Sequence, residues 1–318
     1  MSPAALLNDP AGGAPRQRQP GLCTDTFLID AWPEQGGRLS RLAWRHAGQL
    51  FELIVPMQQG LDGARWPKAG AYPLIPYSNR IEGGMLRFQG AQYPLLPHPE
   101  VRPHTLHGTA HLRAWRVFAI TSQRLALVLS AQADGHWPWR YSAHQTFEVD
   151  GDALHITLSV TNEDDTPMPA GLGWHPFLQW PEDMVLHHSA QRQWPFDMAY
   201  LPLGEVVPTQ PAWQPPNGLR QPMSTAYLAD WGQAVCWASP SRGLSVQLQA
   251  DPVFEHLVVH RPVGGGYACI EPVTHVTNAF NLADGGIADT GSRVLAPRET
   301  LGGRLSLHCA VTAQHPPG

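Results

Sequence analysis

The chain has 318 residues, a formal net charge of −5 and only 15% charged residues. A typical globular domain has about 25% charged residues, and the charges here form no block of either sign, so neither a nucleic-acid footprint nor a polybasic membrane patch is indicated. The 12 Trp and 32 Pro are typical of a loop-rich protein with aromatic-lined surfaces and argue against a helical or a disordered chain.

The N-terminal region lacks the features of a secretory signal, because no apolar segment of about 7–15 residues follows a basic start. No apolar run reaches about 18 residues, the length that indicates a transmembrane helix. The four cysteines are widely separated, which is typical of reduced thiols and not of a zinc or redox motif. We therefore expect a disordered tail over residues 1–20, a single domain over residues 21–312 and a cytoplasmic protein.

Period-two alternation of apolar and polar residues predicts several strands. In chain order these are "LFELIV" from Leu50, "WRVFAI" from Trp115, "RLALVLSA" from Arg124, "ALHITLSVT" from Ala153, "HLVVH" from His256, "YACI" from Tyr267 and "LSLH" from Leu305. No stretch of about ten residues or more combines helical periodicity with caps. The sequence therefore predicts an all-β sandwich or barrel of antiparallel sheets.

A proline-rich segment, residues 193–223, interrupts this pattern, because proline is too frequent there for central strands. The segment carries four large aromatic residues, Trp194, Phe196, Tyr200 and Trp213. Since aromatic side chains gain most from packing against other groups, we expect the segment to cross one face of a sheet.

His107 is the first candidate site residue. It lies in "HTLHGTAH", where Gly108 permits a turn that leaves the imidazole at a loop edge. The alternative is a structural histidine held by hydrogen bonds. A metal site made of His104, His107 and His111 is disfavoured, because their spacing brings three ligands together only on a helix.

His175 is the second candidate, in "GLGWHPFLQW". The neighbouring aromatic residues Trp174, Phe177 and Trp180 suit a pocket in which a sugar ring stacks on aromatic faces, and they suit a hydrophobic core equally well. An imidazole in such a pocket is a candidate general acid near neutral pH.

Glu271 is the third candidate, in "CIEPVTHVTNAFN". A carboxylate at a strand end, followed by Pro272, has little freedom to reach water. One interpretation is a buried acid satisfied by backbone N–H groups. The other is a general base that stays ionised while a nearby histidine stays protonated.

Four stretches occur in the order found in the aldose 1-epimerase family, whose members are galactose mutarotase-like: "YPLIPYSNRIEGGMLRFQGAQYPL", "HTLHG", "GLGWHPFL" and "CIEPVTHVTNAFNL". The resemblance covers most of the chain, from about residue 72 to residue 307. It implies the family's β-supersandwich fold, and an activity that interconverts the α and β anomers of an aldose. It implies no metal, nucleotide or other cofactor, and a small sugar as the binding partner.

The resemblance also implies residue roles. Arg80 in "SNRIEGG" resembles the family's substrate-binding arginine, and Asn79 beside it shapes the same rim. His107 is similar to the histidine that holds a sugar hydroxyl or the ring-oxygen side of the sugar. His175 is similar to the general acid that protonates the ring oxygen, and Glu271 to the base that removes the proton from the C1 hydroxyl. Opening a cyclic hemiacetal requires both proton transfers, so we expect acid and base on opposite sides of the ring.

One position departs from the family pattern. Members with galactose activity carry a substrate-binding aspartate, and the corresponding stretch here, "PMSTAYLADWGQAVCW", has Ser224 or Asp230. The change puts galactose and glucose in doubt and leaves an unusual or phosphorylated sugar open. A carbohydrate-binding or sugar-sensing protein without catalysis is the alternative function.

Overall fold

The computed structural model describes residues 19–58, 60–209, 224–264 and 266–312, and these are nearly all strand and turn. Most of the expected N-terminal tail lies outside the described residues. None of the helices in the described part of the chain has the length and apolar character needed to cross a membrane.

In chain order the strands are β1 (Gly21–Cys23), β2 (Phe27–Trp32), β3 (Arg38–His46), β4 (Gln49–Glu52), β5 (Ala71–Leu74), β6 (Met85–Phe88), β7 (Ala91–Pro94), β8 (Arg116–Ile120), β9 (Arg124–Ala131), β10 (Tyr141–Asp150), β11 (Ala153–Asn162), β12 (Met168–Ala170), β13 (Gly173–Pro176), β14 (Leu178–Gln179), β15 (Val185–His188), β16 (Arg192–Trp194), β17 (Val207–Pro208), β18 (Ser224–Ala229), β19 (Ala234–Ser239), β20 (Leu244–Ala250), β21 (His256–Arg261), β22 (Tyr267–Val273), β23 (Arg293–Leu295) and β24 (Thr300–Val311). Short 3-10 helices cover Pro33–Gln35, Gly63–Arg65, Glu82–Gly84 and Ala110–Leu112, and the helix α1 covers Ala279–Asp284.

Two large antiparallel sheets organise these strands. The 12-stranded sheet has the order β1-β2-β3-β5-β13-β22-β21-β18-β16-β17, with β4 paired to β3 and β14 paired to β22. The 8-stranded sheet has the order β15-β19-β20-β24-β11-β10-β9-β8, and two ribbons, β6-β7 and β12-β23, complete the set. This architecture confirms the predicted all-β class.

Alternation along the strands builds the main core. In β11 the residues Leu154, Ile156, Leu158 and Val160 are all 0% exposed, as the sequence pattern predicted. They belong to one hydrophobic cluster that also contains Phe27 and other residues of the larger sheet. The two sheets therefore pack face to face over a shared core, the arrangement of a β-sandwich.

A second, smaller cluster lies on the opposite face of the 12-stranded sheet. It contains Tyr72, Phe177 and Trp194, and Phe196 and Tyr200 pack against it. The described part of the proline-rich segment thus covers this sheet face through its aromatic residues, as expected. Trp213 lies outside the described residues.

Gly108 is required by its surroundings as well as by its backbone. Its φ is +67°, and a Cβ added there would lie 2.3 Å from the carbonyl oxygen of Ile75. Gly151, in the turn between β10 and β11, has a similar φ of +56° but nothing within 4 Å of an added Cβ. Comparing Gly108 with Gly151 therefore separates the effect of a steric clash from the effect of a positive φ.

We predict that Gly108→Ala lowers the free energy of unfolding by about 1–3 kcal/mol, because it adds a backbone clash to a strained conformation. Gly151→Ala should lower the free energy of unfolding by clearly less. Chemical denaturation of both variants measures the difference. Equal losses would show that the clash with Ile75 is relieved by a small backbone shift.

Candidate active site

A cleft with a volume of about 270 Å³ opens on the second face of the 12-stranded sheet, above β13, β22, β21 and β18. Its polar lining residues are Asn79, Arg80, His107, His175, Tyr200, Thr225, Tyr227, His260 and Glu271. A larger cavity of about 570 Å³ near Trp32 and Trp115 contains Glu34 but no histidine. The smaller cleft therefore holds the concentration of groups suited to acid–base chemistry.

Strand register brings His175 and Glu271 together. β13 pairs with β22 at Gly173 and Val273, and β14 continues the same register with Leu178 opposite Ala268. Position 175 therefore lies opposite position 271, and alternation turns both side chains to the cleft face. The His175 Nε2 atom is 3.4 Å from the Glu271 Oε1 atom.

This adjacency corrects the expectation that acid and base lie on opposite sides of a sugar ring. The C1 hydroxyl oxygen and the ring oxygen of a cyclic sugar are bonded to the same carbon. Two groups side by side, such as His175 and Glu271, can therefore reach both oxygens from one edge of the ring.

Burial decides where the proton of this pair lies. Removal from water raises the pKa of Glu271 to about 8, and it lowers the pKa of His175 well below its ordinary value, with the Arg38 charge adding to the effect. Between these pKa values the sugar-free pair is a protonated carboxyl beside a neutral imidazole. The sequence analysis expected the other form, an ionised Glu271 beside a protonated His175. Both forms contain the same number of protons, so the shift of a single proton interconverts them.

Tyr72 and Arg38 support His175 from below, and sequence reasoning missed both. The Tyr72 ring stacks on the His175 ring with centres 4.7 Å apart, and the Arg38 guanidinium carbon lies 4.2 Å from the centre of the Tyr72 ring. Arg38 is 0% exposed and donates hydrogen bonds to the carbonyl oxygens of Ala69 and Gly63. Among the described residues no carboxylate forms an ion pair with it.

His107 and Asn79 hold each other through unusual backbone conformations. Both residues have positive φ values, 64° and 59°. The His107 N–H donates to the Asn79 carbonyl oxygen at 2.8 Å, and the Asn79 N–H donates to His107 Nδ1 at 3.2 Å. Since Nδ1 accepts, the neutral ring carries its proton on Nε2, and burial lowers the pKa of His107 well below its ordinary value. His107 is therefore a fixed hydrogen-bond donor in the cleft.

Arg80 forms part of the rim of the cleft. It donates to Asn79 Oδ1 at 3.1 Å, and its guanidinium carbon is 4.9 Å from the centre of the Tyr200 ring. Tyr227 donates to the Tyr200 carbonyl oxygen at 3.2 Å and accepts from Asn79 Nδ2 at 3.3 Å. The proline-rich segment, through Tyr200, thus fixes the position of this cation.

Two predicted site residues are not brought to the cleft. Trp174 is 0% exposed and belongs to the main core, because alternation turns it away from the face of His175. Asp230 pairs with Arg192 in a separate depression that also contains Asp289. Strand β18 instead presents Thr225 and Tyr227 to the cleft.

Glu271 is the only carboxylate among the described residues that line the cleft. Ser224, the other candidate for the family's aspartate position, begins β18, but its side chain lies outside what is described. Thr225 Oγ1 and His260 Nδ1, 2.8 Å apart, are hydrogen-bonded within the lining.

The three histidines of the disfavoured metal site have other hydrogen-bond partners. His104 accepts from the Gly83 N–H, His107 from that of Asn79, and His111 Nδ1 lies 3.1 Å from the His107 carbonyl oxygen. Within the described ranges the single metal-compatible group is His175, Cys269 and Glu271.

The family model described as "Aldose 1-epimerase" matches residues 29–308. The chain belongs to the aldose 1-epimerase family. The uncharacterized protein YphB of Escherichia coli strain K12 is 27% identical over 283 residues, which cover 86% of this chain and 93% of YphB. This membership confirms the family that the motifs indicated.

Solved structures confirm the galactose mutarotase-like fold. A galactose mutarotase-like protein from Clostridium acetobutylicum is similar with a TM-score of 0.81 and 19% identity, over 92% of this chain and 95% of that one. The GalM/aldose epimerase homologue from C. elegans is similar with a TM-score of 0.76 and 16% identity, over 92% and 98% of the two chains.

The buried carboxyl of Glu271 should make stability depend on pH. Its folded pKa of about 8 lies above the ordinary value of 4.5, so the native state holds the proton longer than the unfolded chain does. Its contribution to stability is fully present below about pH 4.5 and is lost as pH rises through about 8. We predict that the melting temperature of Glu271→Gln exceeds that of the wild type by an amount that grows from pH 5 to pH 9.

Glu205→Gln, at an exposed position outside the cleft, is the matched control and should show no such trend. Thermal melts across this pH range make the comparison. A difference between Glu271→Gln and wild type that stays constant with pH would contradict the raised pKa.

Proposed function

We propose that this protein is an aldose 1-epimerase that interconverts the anomers of a free sugar without a cofactor. The observation that carries the proposal is the buried pair of His175 and Glu271, 3.4 Å apart, within a sugar-sized cleft. Next to this pair stand a neutral donor, His107, and a fixed cation, Arg80. Family membership supports the same activity.

A bound sugar would itself complete the acid–base pair. The C1 hydroxyl donates a hydrogen bond to Glu271, which favours the ionised carboxylate, while the ring oxygen accepts one from His175, which favours the protonated imidazole. The sugar therefore shifts the shared proton from Glu271 to His175. In this state each group has the role that the family resemblance implies.

Ring opening then transfers two protons in balance. Glu271 takes the proton of the C1 hydroxyl, His175 gives its proton to the ring oxygen, and the bond between C1 and the ring oxygen breaks as the aldehyde forms. Rotation about the C1–C2 bond turns the other face of the aldehyde to the ring hydroxyl. Closure by the reverse transfers yields the opposite anomer and restores both groups.

The charges around the cleft bear on the substrate class. Arg80 lines the cleft, and the Lys68 Nζ atom lies over the ring of Trp66, another lining residue. Glu271 is the sole carboxylate among the described lining residues, and Glu100, outside the lining, acts on Lys68. Because Glu271 is protonated in the sugar-free protein, these cations leave room for an acidic substituent such as phosphate as well as for neutral hydroxyls. The substrate panel must therefore contain both kinds of aldose.

The direct test is proton NMR saturation transfer between anomers, or polarimetry of freshly dissolved α-anomers. The panel would include neutral aldoses, aldose phosphates and uronic acids. Faster exchange with the wild type than with Glu271→Gln would establish the epimerase. Ligand-dependent stabilisation without any acceleration would instead indicate the alternative, a carbohydrate-binding protein.

We predict that Glu271→Gln lowers turnover about 10²–10⁴-fold, the usual worth of a positioned acid or base. The amide keeps the shape of the side chain and its hydrogen bonds to sugar, so binding should change little. Anomer exchange rates and sugar-induced melting shifts give the two quantities. Near-normal turnover in this variant would remove Glu271 as the base.

We predict that Arg80→Ala raises KM more than it lowers kcat, because a rim cation contacts the ground state and the transition state alike. Arg87→Ala, an exposed arginine on β6 outside the cleft, is the matched control. Steady-state kinetics on the preferred sugar separate the two parameters. A loss confined to kcat would place Arg80 in the chemical step.

A further inference from the structure

Cys269 joins the proposed catalytic pair in a compact buried group. It precedes Glu271 by two residues on β22, so alternation places both side chains on one face of the strand. One ligand atom from each of His175, Cys269 and Glu271 lies within 4.8 Å of the other two. Their exposed fractions are only 4%, 1% and 3%.

The spacing and chemistry of these atoms match a zinc centre. Nitrogen and oxygen ligands about 2.0–2.2 Å from a tetrahedral zinc ion are separated by about 3.4 Å, and His175 Nε2 and Glu271 Oε1 are 3.4 Å apart. The Cys269 thiol adds a soft ligand, which selects zinc and similar metals over magnesium or calcium. The sulfur lies within 4.8 Å of the other two ligand atoms, close enough for the three residues to share one ion.

Two buried atoms of the group lack hydrogen-bond partners among the described residues, His175 Nδ1 and Glu271 Oε2. Buried polar atoms are normally satisfied, and exceptions call for an explanation such as a ligand. A bound sugar accounts for part of this unused capacity. A cation held between His175 Nε2, the Glu271 carboxylate and the Cys269 thiolate would account for the unused Glu271 oxygen as well, whereas His175 Nδ1 points away from such a cation.

Charge balance favours a divalent cation. A deprotonated Glu271 and a deprotonated Cys269 together carry two negative charges, which neutralise one Zn²⁺ ion. The occupied centre is then neutral overall and avoids the cost of an isolated buried charge. It also avoids a net positive charge beside the buried Arg38 guanidinium.

We propose that His175, Cys269 and Glu271 bind one thiophilic divalent cation such as zinc, with the fourth position open to the cleft, and that this binding reversibly inhibits the protein. The metal and the sugar compete because both require His175 and Glu271. The inhibition rests on the proposed function, whereas the metal site itself does not. Cys269 does not line the cleft, so the thiol can be removed without removing a group that contacts sugar.

The binding arm of the test uses Co²⁺ as a spectroscopic probe with the full-length chain. A thiolate–cobalt charge-transfer band in the near ultraviolet should appear in the wild type at one equivalent and disappear when Zn²⁺ is added. Cys269→Ser should lose the band. Cys236→Ser, a change at another free cysteine, on β19, should keep it. Absence of the band in the wild type, or its persistence in a folded Cys269→Ser, would overturn the proposal.

The activity arm measures anomer exchange against added zinc. Wild-type activity should fall with zinc and recover with a chelator. The zinc concentration for half-inhibition should be higher in Cys269→Ser. Loss of an outer-shell partner costs about 10–100-fold in metal affinity, and loss of this direct ligand should cost more. Equal zinc sensitivity of the two proteins would overturn the proposal. If Cys269→Ser does not fold, Cys269→Ala takes its place in both arms.

The two arms fail separately. A cobalt band in a protein that accelerates no anomer exchange would leave the metal site standing and remove the proposed epimerase activity. Fast anomer exchange without any cobalt band would support the epimerase activity and remove the metal site.

Discussion

The antiparallel pairing of β13 with β22 is the constraint on which the cleft depends. It places position 175 opposite position 271 and turns both side chains to the same face of the sheet. A slip by one residue would bury His175 in the main core and turn Trp174 into the cleft. The large aliphatic and aromatic residues on the core face prevent such a slip, so the packing of the sandwich is also what fixes the acid–base geometry.

Burial by this sheet gives the pair its chemical character. Both charged forms are disfavoured in the absence of water, so the pair holds one proton and can pass it between its members. The supporting layer adds to the cost, because Arg38 is a fully buried cation without an ion pair among the described residues. Its terminal nitrogens donate to backbone carbonyl oxygens, and its Nε has no hydrogen-bond partner among the described residues. Functional sites commonly lower the stability of the fold. Here the loss of stability comes from burying His175, Glu271 and Arg38.

The sequence alone predicted seven of the strands and placed five of the cleft-lining residues in a site, and its failures have clear physical causes. Alternation suffices for β11, because that strand buries one face along its whole length, whereas β9 is recognised by its apolar run, since it is buried on both faces from Leu125 to Leu129. Trp174 was placed in the cleft because it adjoins His175 in sequence, whereas adjacent residues of a strand face opposite ways. Asp230 could not be excluded without knowing that Arg192, a distant residue, binds it. Arg38 gave no local signal, since a single arginine in a strand is ordinarily on the solvent face.

Under the proposed function, catalysis and sugar selectivity use different parts of the fold. In the proposed mechanism the pair of His175 and Glu271 contacts only the C1 hydroxyl and the ring oxygen, which all cyclic aldoses possess, so it does not distinguish one sugar from another. Discrimination requires groups that reach the remaining hydroxyls, and these lie at the rim, where Arg80 is held by Asn79 and by Tyr200. Tyr200 belongs to the proline-rich segment, whose described part lies over the sheet and contributes only β17 and the end of β16 to it. Sequence change in that segment can therefore alter the preferred sugar while the register of β13 and β22, and with it the chemistry, stays fixed.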